Sequence, residues 1–125
     1  MNIFVIDGQS GRMGRLFIER AKSAGLTCPL RAVGTNSLAT AAMLKAGADP
    51  GATGADIIVG PIGILSADSL LGEISPAIAV AVGRSEAKKL LLPVNQCSNL
   101  VVGVRDMTLS QLMDEAVAML RRLLA

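Results

Sequence analysis

The sequence predicts an α/β fold of three layers, a mostly parallel, doubly wound sheet with helices on both faces. Three observations predict it. The chain opens on an unbroken apolar run, Ile3-Phe4-Val5-Ile6, with the length and branching of a strand buried on both faces. That run ends in Asp7 and in glycines spaced three apart, Gly8, Gly11 and Gly14. Strand-like and helix-like segments then alternate, the order expected of crossover units around a parallel sheet.

Each element has its own signal. Met13, Leu16, Phe17, Ala21 and Ala24 recur at helical spacing, and Gly25 supplies a stop. A second strand is expected over residues 28–33, ending at Gly34-Thr35-Asn36-Ser37. Asn36 or Ser37 caps a short helix carrying Leu38, Ala42, Met43 and Ala46, closed by Gly47. The glycine-rich connector over residues 47–54, with Pro50 inside it, reads as turn chemistry. Asp56 opens a third strand, Ile57-Ile58-Val59, which ends in Gly60-Pro61-Ile62-Gly63. Ser66 is expected to cap one or two helical turns, weakened by Gly72. Ser75-Pro76, a cap and a first-position proline, starts a helix through Ile78, Val80 and Val82, with a break possible at Gly83. The connection before it is long for an α/β unit, as lids, binding loops or an extra helix across the sheet edge are.

Leu90-Leu91-Leu92 forms a fourth strand. Leu100-Val101-Val102-Gly103-Val104 follows too soon for a helical crossover, so a fifth strand is expected there, antiparallel at the edge. Thr108-Leu109-Ser110-Gln111 is a capping-box pattern for a last helix, whose Leu112, Met113, Ala116, Leu120 and Leu123 extend one apolar stripe. Right-handed crossovers then give a Rossmann-like spatial order of about 2-1-3-4-5, with the switch point between strands one and three.

Composition narrows the chemistry. The 125 residues make one domain, residues 1–125, with 51% hydrophobic and 18% charged residues. So apolar a chain is expected to hide helix surface in a second copy, a homo-oligomer, with Ile78, Val80 and Val82 in the interface. The absence of His removes the usual general base, the Ser-His-acid arrangement and every His-containing metal site; no metal is expected and no catalytic residue is assigned. With no Trp, no Tyr and two Phe in the first buried unit, no ring is left to stack on a base or a flavin. A net charge of +2, spread along the chain, lacks the footprint of a nucleic-acid binder. Cys28 and Cys97 are too far apart for a disulfide framework or zinc site. With no signal peptide and no apolar stretch of membrane-spanning length, the expected location is the cytoplasm.

The glycine turn carries the functional reading. Strand, glycine turn, helix is how a backbone offers free N–H groups and a positive dipole end to an anion. Gly8 makes the tight turn, Gly11 lets backbone approach a phosphate, and Gly14 lets helix and strand pack closely. Arg12 adds a charge-assisted hydrogen bond, so Gly8, Gln9, Ser10, Gly11, Arg12, Met13 and Gly14 form the expected diphosphate cradle. Thr35, Asn36 and Ser37 stand where a dinucleotide fold places its ribose-binding acid. A neutral edge there tolerates a 2′-phosphate, which favours NADP over NAD; the plainer role of Asn36 and Ser37 is helix capping. Backbone N–H groups around Gly60, Pro61 and Gly63 are expected to face the turn and take a second phosphate or a substrate carboxylate.

Four other side chains stand out. Asp7 repels a pyrophosphate unless a cation, a sugar hydroxyl or an N–H intervenes; bonding the N–H groups of its own turn is the alternative. Asp68 and Glu73 are acid or base candidates if burial raises them, with a helix N-terminus for Asp68 and solvent for Glu73 the plainer placements. Cys97, grouped with Asn95 and Asn99, is a nucleophile only if something lowers its pKa, and otherwise a small apolar residue.

The wording G-x-x-G-R-M-G resembles the nucleotide loop of dihydrodipicolinate reductases and, more loosely, that of extended short-chain dehydrogenases. Those reductases carry catalytic histidines and a separate substrate domain, which this chain lacks, so their reaction is not carried over. Across its length the chain resembles a bacterial family of small Rossmann-like proteins of unknown function. The likeness rests on I-D-G-Q-S-G-R-M-G, A-V-G-T-N-S-L-A-T-A-A-M-L-K-A-G-A-D-P-G-A-T-G, G-P-I-G-I-L-S-A-D-S-L-L-G-E-I-S-P-A and L-L-P-V-N-Q-C. The expected function is nucleotide binding, as a binding or regulatory module. A small NADP-dependent oxidoreductase and a structural subunit without ligand are the alternatives.

Overall fold

The structure, a computed structural model, describes residues 1–51, 54–94 and 99–125. At its centre lies β1 (Ile3–Asp7), flanked in parallel by β2 (Leu30–Gly34) and β4 (Ile57–Pro61). Outside them run β3 (Asp49–Pro50) and β5 (Lys88–Leu92), giving the order β3-β2-β1-β4-β5 with every pairing parallel. The chain winds outward from β1 through β2 and from β4 through β5. The switch point therefore falls between β1 and β4.

Alternation along the strands builds two cores. Ile3, Val5, Leu30, Ala32, Ile57, Val59, Leu90 and Leu92 pack with helices α1 (Arg12–Ser23), α2 (Ser37–Lys45) and α4 (Leu109–Leu124). Phe17, Ile18, Met43, Met113 and Leu120 are the helix residues sealed into this layer. On the other face Ile6 and Ile58 meet Ile64, Leu70, Ile74, Ala79 and Val82, from a 3-10 turn (Ile62–Leu65), the loop after it and α3 (Pro76–Arg84). Strands buried on both faces need the near-continuous apolar runs that the sequence carries.

The predicted caps form. Asn36 Oδ1 accepts the Ala39 N–H at 2.8 Å, Ser75 Oγ accepts that of Ile78 at 3.3 Å, and Thr108 and Gln111 close a reciprocal capping box.

Three expectations are corrected. No fifth strand forms at residues 100–104. β5 runs into Pro93, Gly103 takes φ +90°, and the Val104 N–H donates to the Val101 carbonyl at 3.3 Å, so the segment turns instead of extending. The fifth strand is the short β3 at the opposite edge, where Pro50 is tolerated. The helical turns expected after Ser66 are replaced by irregular backbone with positive φ at Asp68, Leu70, Leu71 and Gly72. Nor do Val80 and Val82 share an outward face. Two residues apart on a helix point roughly 200° apart, and Val82 is buried while Val80 is 47% exposed. Among the described residues no helix is long and apolar enough to cross a membrane.

Candidate functional site

The glycine turn sits at the carboxyl end of β1, at the switch point, and most of its amides are already engaged. Asp7 is 3% exposed; its Oδ1 accepts the Gly8 N–H and its Oδ2 the Gly14 N–H, each at 2.8 Å. The Gly11 N–H donates to the Gly8 carbonyl at 2.8 Å, closing a turn in which Gln9 is left-handed at φ 51°. The Gln9 N–H donates to Glu73 Oε1 at 2.9 Å. Two amides of the turn, Ser10 and Arg12, find no partner among the described residues. The expected row of bare N–H groups is thus cut to two at the mouth of α1.

Burial raises the Asp7 carboxyl above its ordinary 3.8; the Gly14, Gly8 and Met13 backbone bonds oppose this, and the negative charge of Glu73 adds to it. A buried carboxylate bonding its own turn is the alternative set out for Asp7, and that is the arrangement found.

The glycines have steric reasons. A Cβ on Gly14 would lie 2.5 Å from Met43 Sδ and 3.2 Å from Asp7 Cβ, and Met43 is fully buried. Gly11 has φ +75° and would meet the Ala39 Cα at 2.7 Å, so it serves the approach of α2. A Cβ on Gly8 would strike Thr35 Oγ1 at 2.6 Å and Glu73 Oε1 at 2.8 Å.

The sequence names Glu73 as an acid or base candidate, but not as the centre of a hydrogen-bond hub. Instead of standing in solvent, its Oε1 accepts from Thr35 Oγ1 and Asn36 Nδ2, both at 2.6 Å, as well as from Gln9. Asn36 Nδ2 also reaches the Gln9 carbonyl at 3.0 Å, and the Thr35 N–H donates to the Asp7 carbonyl at 3.0 Å. One carboxylate oxygen thereby ties together the ends of β1 and β2. The Thr35 hydroxyl first and then the Gln9 amide hold Glu73 below its ordinary 4.5; burial opposes them, and Asn36 adds a lesser lowering effect. It is an anion near neutral pH, not a proton donor.

Backbone geometry puts it there. Asp68, Leu70 and Leu71 take φ of 66°, 54° and 56°, followed by Gly72 at 85°. Leu70 and Ile74 anchor this knot in the core, the Ser69 hydroxyl bonds the Gly63 carbonyl, and the Asp68 N–H donates to the Ile74 carbonyl at 2.6 Å. Three left-handed residues other than glycine cost roughly 1–2 kcal/mol each. The one sequence signal for Glu73 was its place on a long rim connection holding two carboxylates.

Of the other expected site residues, Ser37 is exposed at the start of α2, outside this hub. Gly60, Pro61 and Gly63 are buried; a Cβ on Gly60 would lie 2.7 Å from the Ile6 carbonyl. Asp68 is exposed and caps no helix. Asn95 and Cys97 lie outside the described residues, and Asn99 is exposed. A cleft of about 240 Å³ opens over the turn, with Asp7, Gly8, Gln9, Ser10, Arg12 and Met13 on one side and Val94 and Leu109 on the other. Gly60, Pro61 and Gly63 do not line it. Among the described residues no group of three His, Cys, Asp or Glu is placed to hold a metal ion.

A five-stranded parallel sheet in three layers, with a glycine turn at its switch point, defines a Rossmann-like α/β protein. The chain belongs to the family described as "Domain of unknown function (DUF3842)", whose model matches residues 2–125. No curated protein and no solved structure matches it.

Proposed function

We propose that this chain is a binding or regulatory module for a phosphate-bearing nucleotide, an NAD(P)-type dinucleotide in the first place, held on the turn over residues 8–14. The observation that carries the reading is the pair of unpartnered amides, Ser10 and Arg12, at the N-terminus of α1 beside a cleft of about 240 Å³. The exposed Arg12 side chain lines that cleft and enters no ion pair among the described residues, so it is available to a phosphate. Binding is favoured over chemistry because both Asp7 oxygens are committed to backbone and Glu73 Oε1 already accepts from three donors. The reading without ligand is favoured by one observation: Asp7 and Glu73 already satisfy the amides of Gly8, Gln9 and Gly14.

A thermal-shift panel of NAD, NADP, ATP, coenzyme A and FMN decides between them. A ligand at one hundred times its dissociation constant adds about 2.7 kcal/mol, a midpoint rise of several degrees for a domain this size. The rise is expected with a dinucleotide, and Arg12→Ala is expected to abolish it while leaving the unliganded midpoint in place. No rise with any of the five leaves the ligand-free reading standing. The same proposal takes the chain to be a homo-oligomer, which the exposure of Leu100 (94%) and Val102 (101%) supports.

A further inference from the structure

We propose that the site is gated by a proton on Asp7: an anion docking at the glycine turn draws a proton onto that carboxyl, so the module fills as pH falls and empties as pH rises. The inference rests on the proposed nucleotide site and adds its regulation.

Among the described residues Asp7 is the one acidic side chain that lines the cleft over the turn. It is 3% exposed and shares the cleft with Ser10 and Arg12, whose amides are left for a phosphate. Its oxygens accept the Gly8 and Gly14 N–H groups, each at 2.8 Å, so backbone pins the carboxyl at the turn and it cannot swing away when an anion arrives. An ionised Asp7 and a diphosphate in one cleft repel, and burial weakens the screening between them. Protonation removes that charge and adds an O–H donor.

The surroundings set the direction. Arg12, on α1, is the cation of the cleft, and Glu73, from the connection between β4 and α3, is the anion that Asp7 senses. The other elements at this end bring neutral residues: Gly34 and Thr35 at the end of β2, Gly60 and Pro61 at the end of β4, Met43 from α2, and Val94 and Leu109 across the cleft. Burial raises the Asp7 carboxyl above 3.8, the Gly14 and Gly8 amides oppose this, and Glu73 adds to it. A docked anion pushes the same way as Glu73. The chain has no His, so between about pH 5 and 7 no side chain at its ordinary pKa changes charge. A proton taken up on binding in that range therefore marks a displaced carboxyl.

The experiment is a calorimetric titration of the full chain with NAD, whose diphosphate keeps its charge across this range, at several pH values and in two buffers of unlike ionisation enthalpy. Wild type is expected to take up a fraction of a proton for each NAD bound. A bound anion raises the Asp7 midpoint; between the free and bound midpoints the complex holds more protons than the free protein, and rising pH dissociates it. Affinity is thus expected to be level below the free midpoint and to fall above it by up to about tenfold per pH unit. Asp7→Asn is neutral at every pH and still accepts one amide. It is expected to keep the affinity that wild type shows at low pH, with no proton taken up. If that variant does not fold, the proton count in wild type decides the matter by itself. NAD binding with no proton uptake and a level pH profile overturns the gate and leaves the nucleotide site in place, as does an Asp7→Asn protein that keeps the wild-type pH slope. Failure of NAD to bind at any pH removes the site itself and this inference with it.

Discussion

Asp7 and Glu73 flank one turn, and their environments push them in opposite directions. Asp7 holds its proton to higher pH when folded, so between 3.8 and its folded midpoint the native state binds more protons than the unfolded one. Its effect is to lower stability as pH rises through that window. Glu73 acts the other way: its contribution is present above 4.5 and is lost as pH falls through its depressed native value. Because the charge of Glu73 also raises Asp7, Glu73→Gln has a readout at a distance. The carbon-13 titration of the Asp7 carboxyl is expected to move toward 3.8 in that variant, and the loss of stability on acidification to become shallower. An Asp7 midpoint unmoved by the substitution would mean the two charges do not sense each other. Sequence reading reached half of this pair. Asp7 adjoins the glycines it bonds, so local turn chemistry could place it; Glu73 is 64 residues from Gln9, and no periodicity encodes such a contact.

The knot over residues 66–74 is the element that positions Glu73, and its strain is testable without touching the site. Leu71 has φ 56° and is 93% exposed, so it bears the left-handed penalty and buries almost nothing in return. Leu71→Gly relieves that penalty at the cost of greater freedom in the unfolded chain, and a net gain of about 0.5–1 kcal/mol is expected. Urea denaturation measures it; a loss of stability would show that the exposed leucine makes a contact this geometry omits. Helices with local signals were legible: Asn36, Ser75 and Thr108 all cap where spacing placed them. The knot was not, because its backbone is stabilised by Leu70 and Ile74 in the distant core and by the Gly63 carbonyl, against the local preference of leucine.

At the scale of the whole molecule the sheet was largely readable, since strands buried on both faces leave unbroken apolar runs at Ile3, Ile57 and Leu90. Residues 100–104 misled: their apolar run read as an antiparallel edge strand and instead stands outside the sheet. Leu100 and Val102 are fully solvent-facing in the single chain. Exposed apolar residues of this kind are what a second copy covers. Leu100→Asp with Val102→Asp is therefore expected to convert an associating protein to monomer in sedimentation velocity at micromolar concentration. Since neither side chain is buried, the unfolding free energy should change by no more than about 0.5 kcal/mol per site. Val80→Arg, on the outer face of α3, is expected to leave association intact. A wild-type protein that sediments as monomer, or a double aspartate variant that still associates, would place the contact elsewhere or remove it.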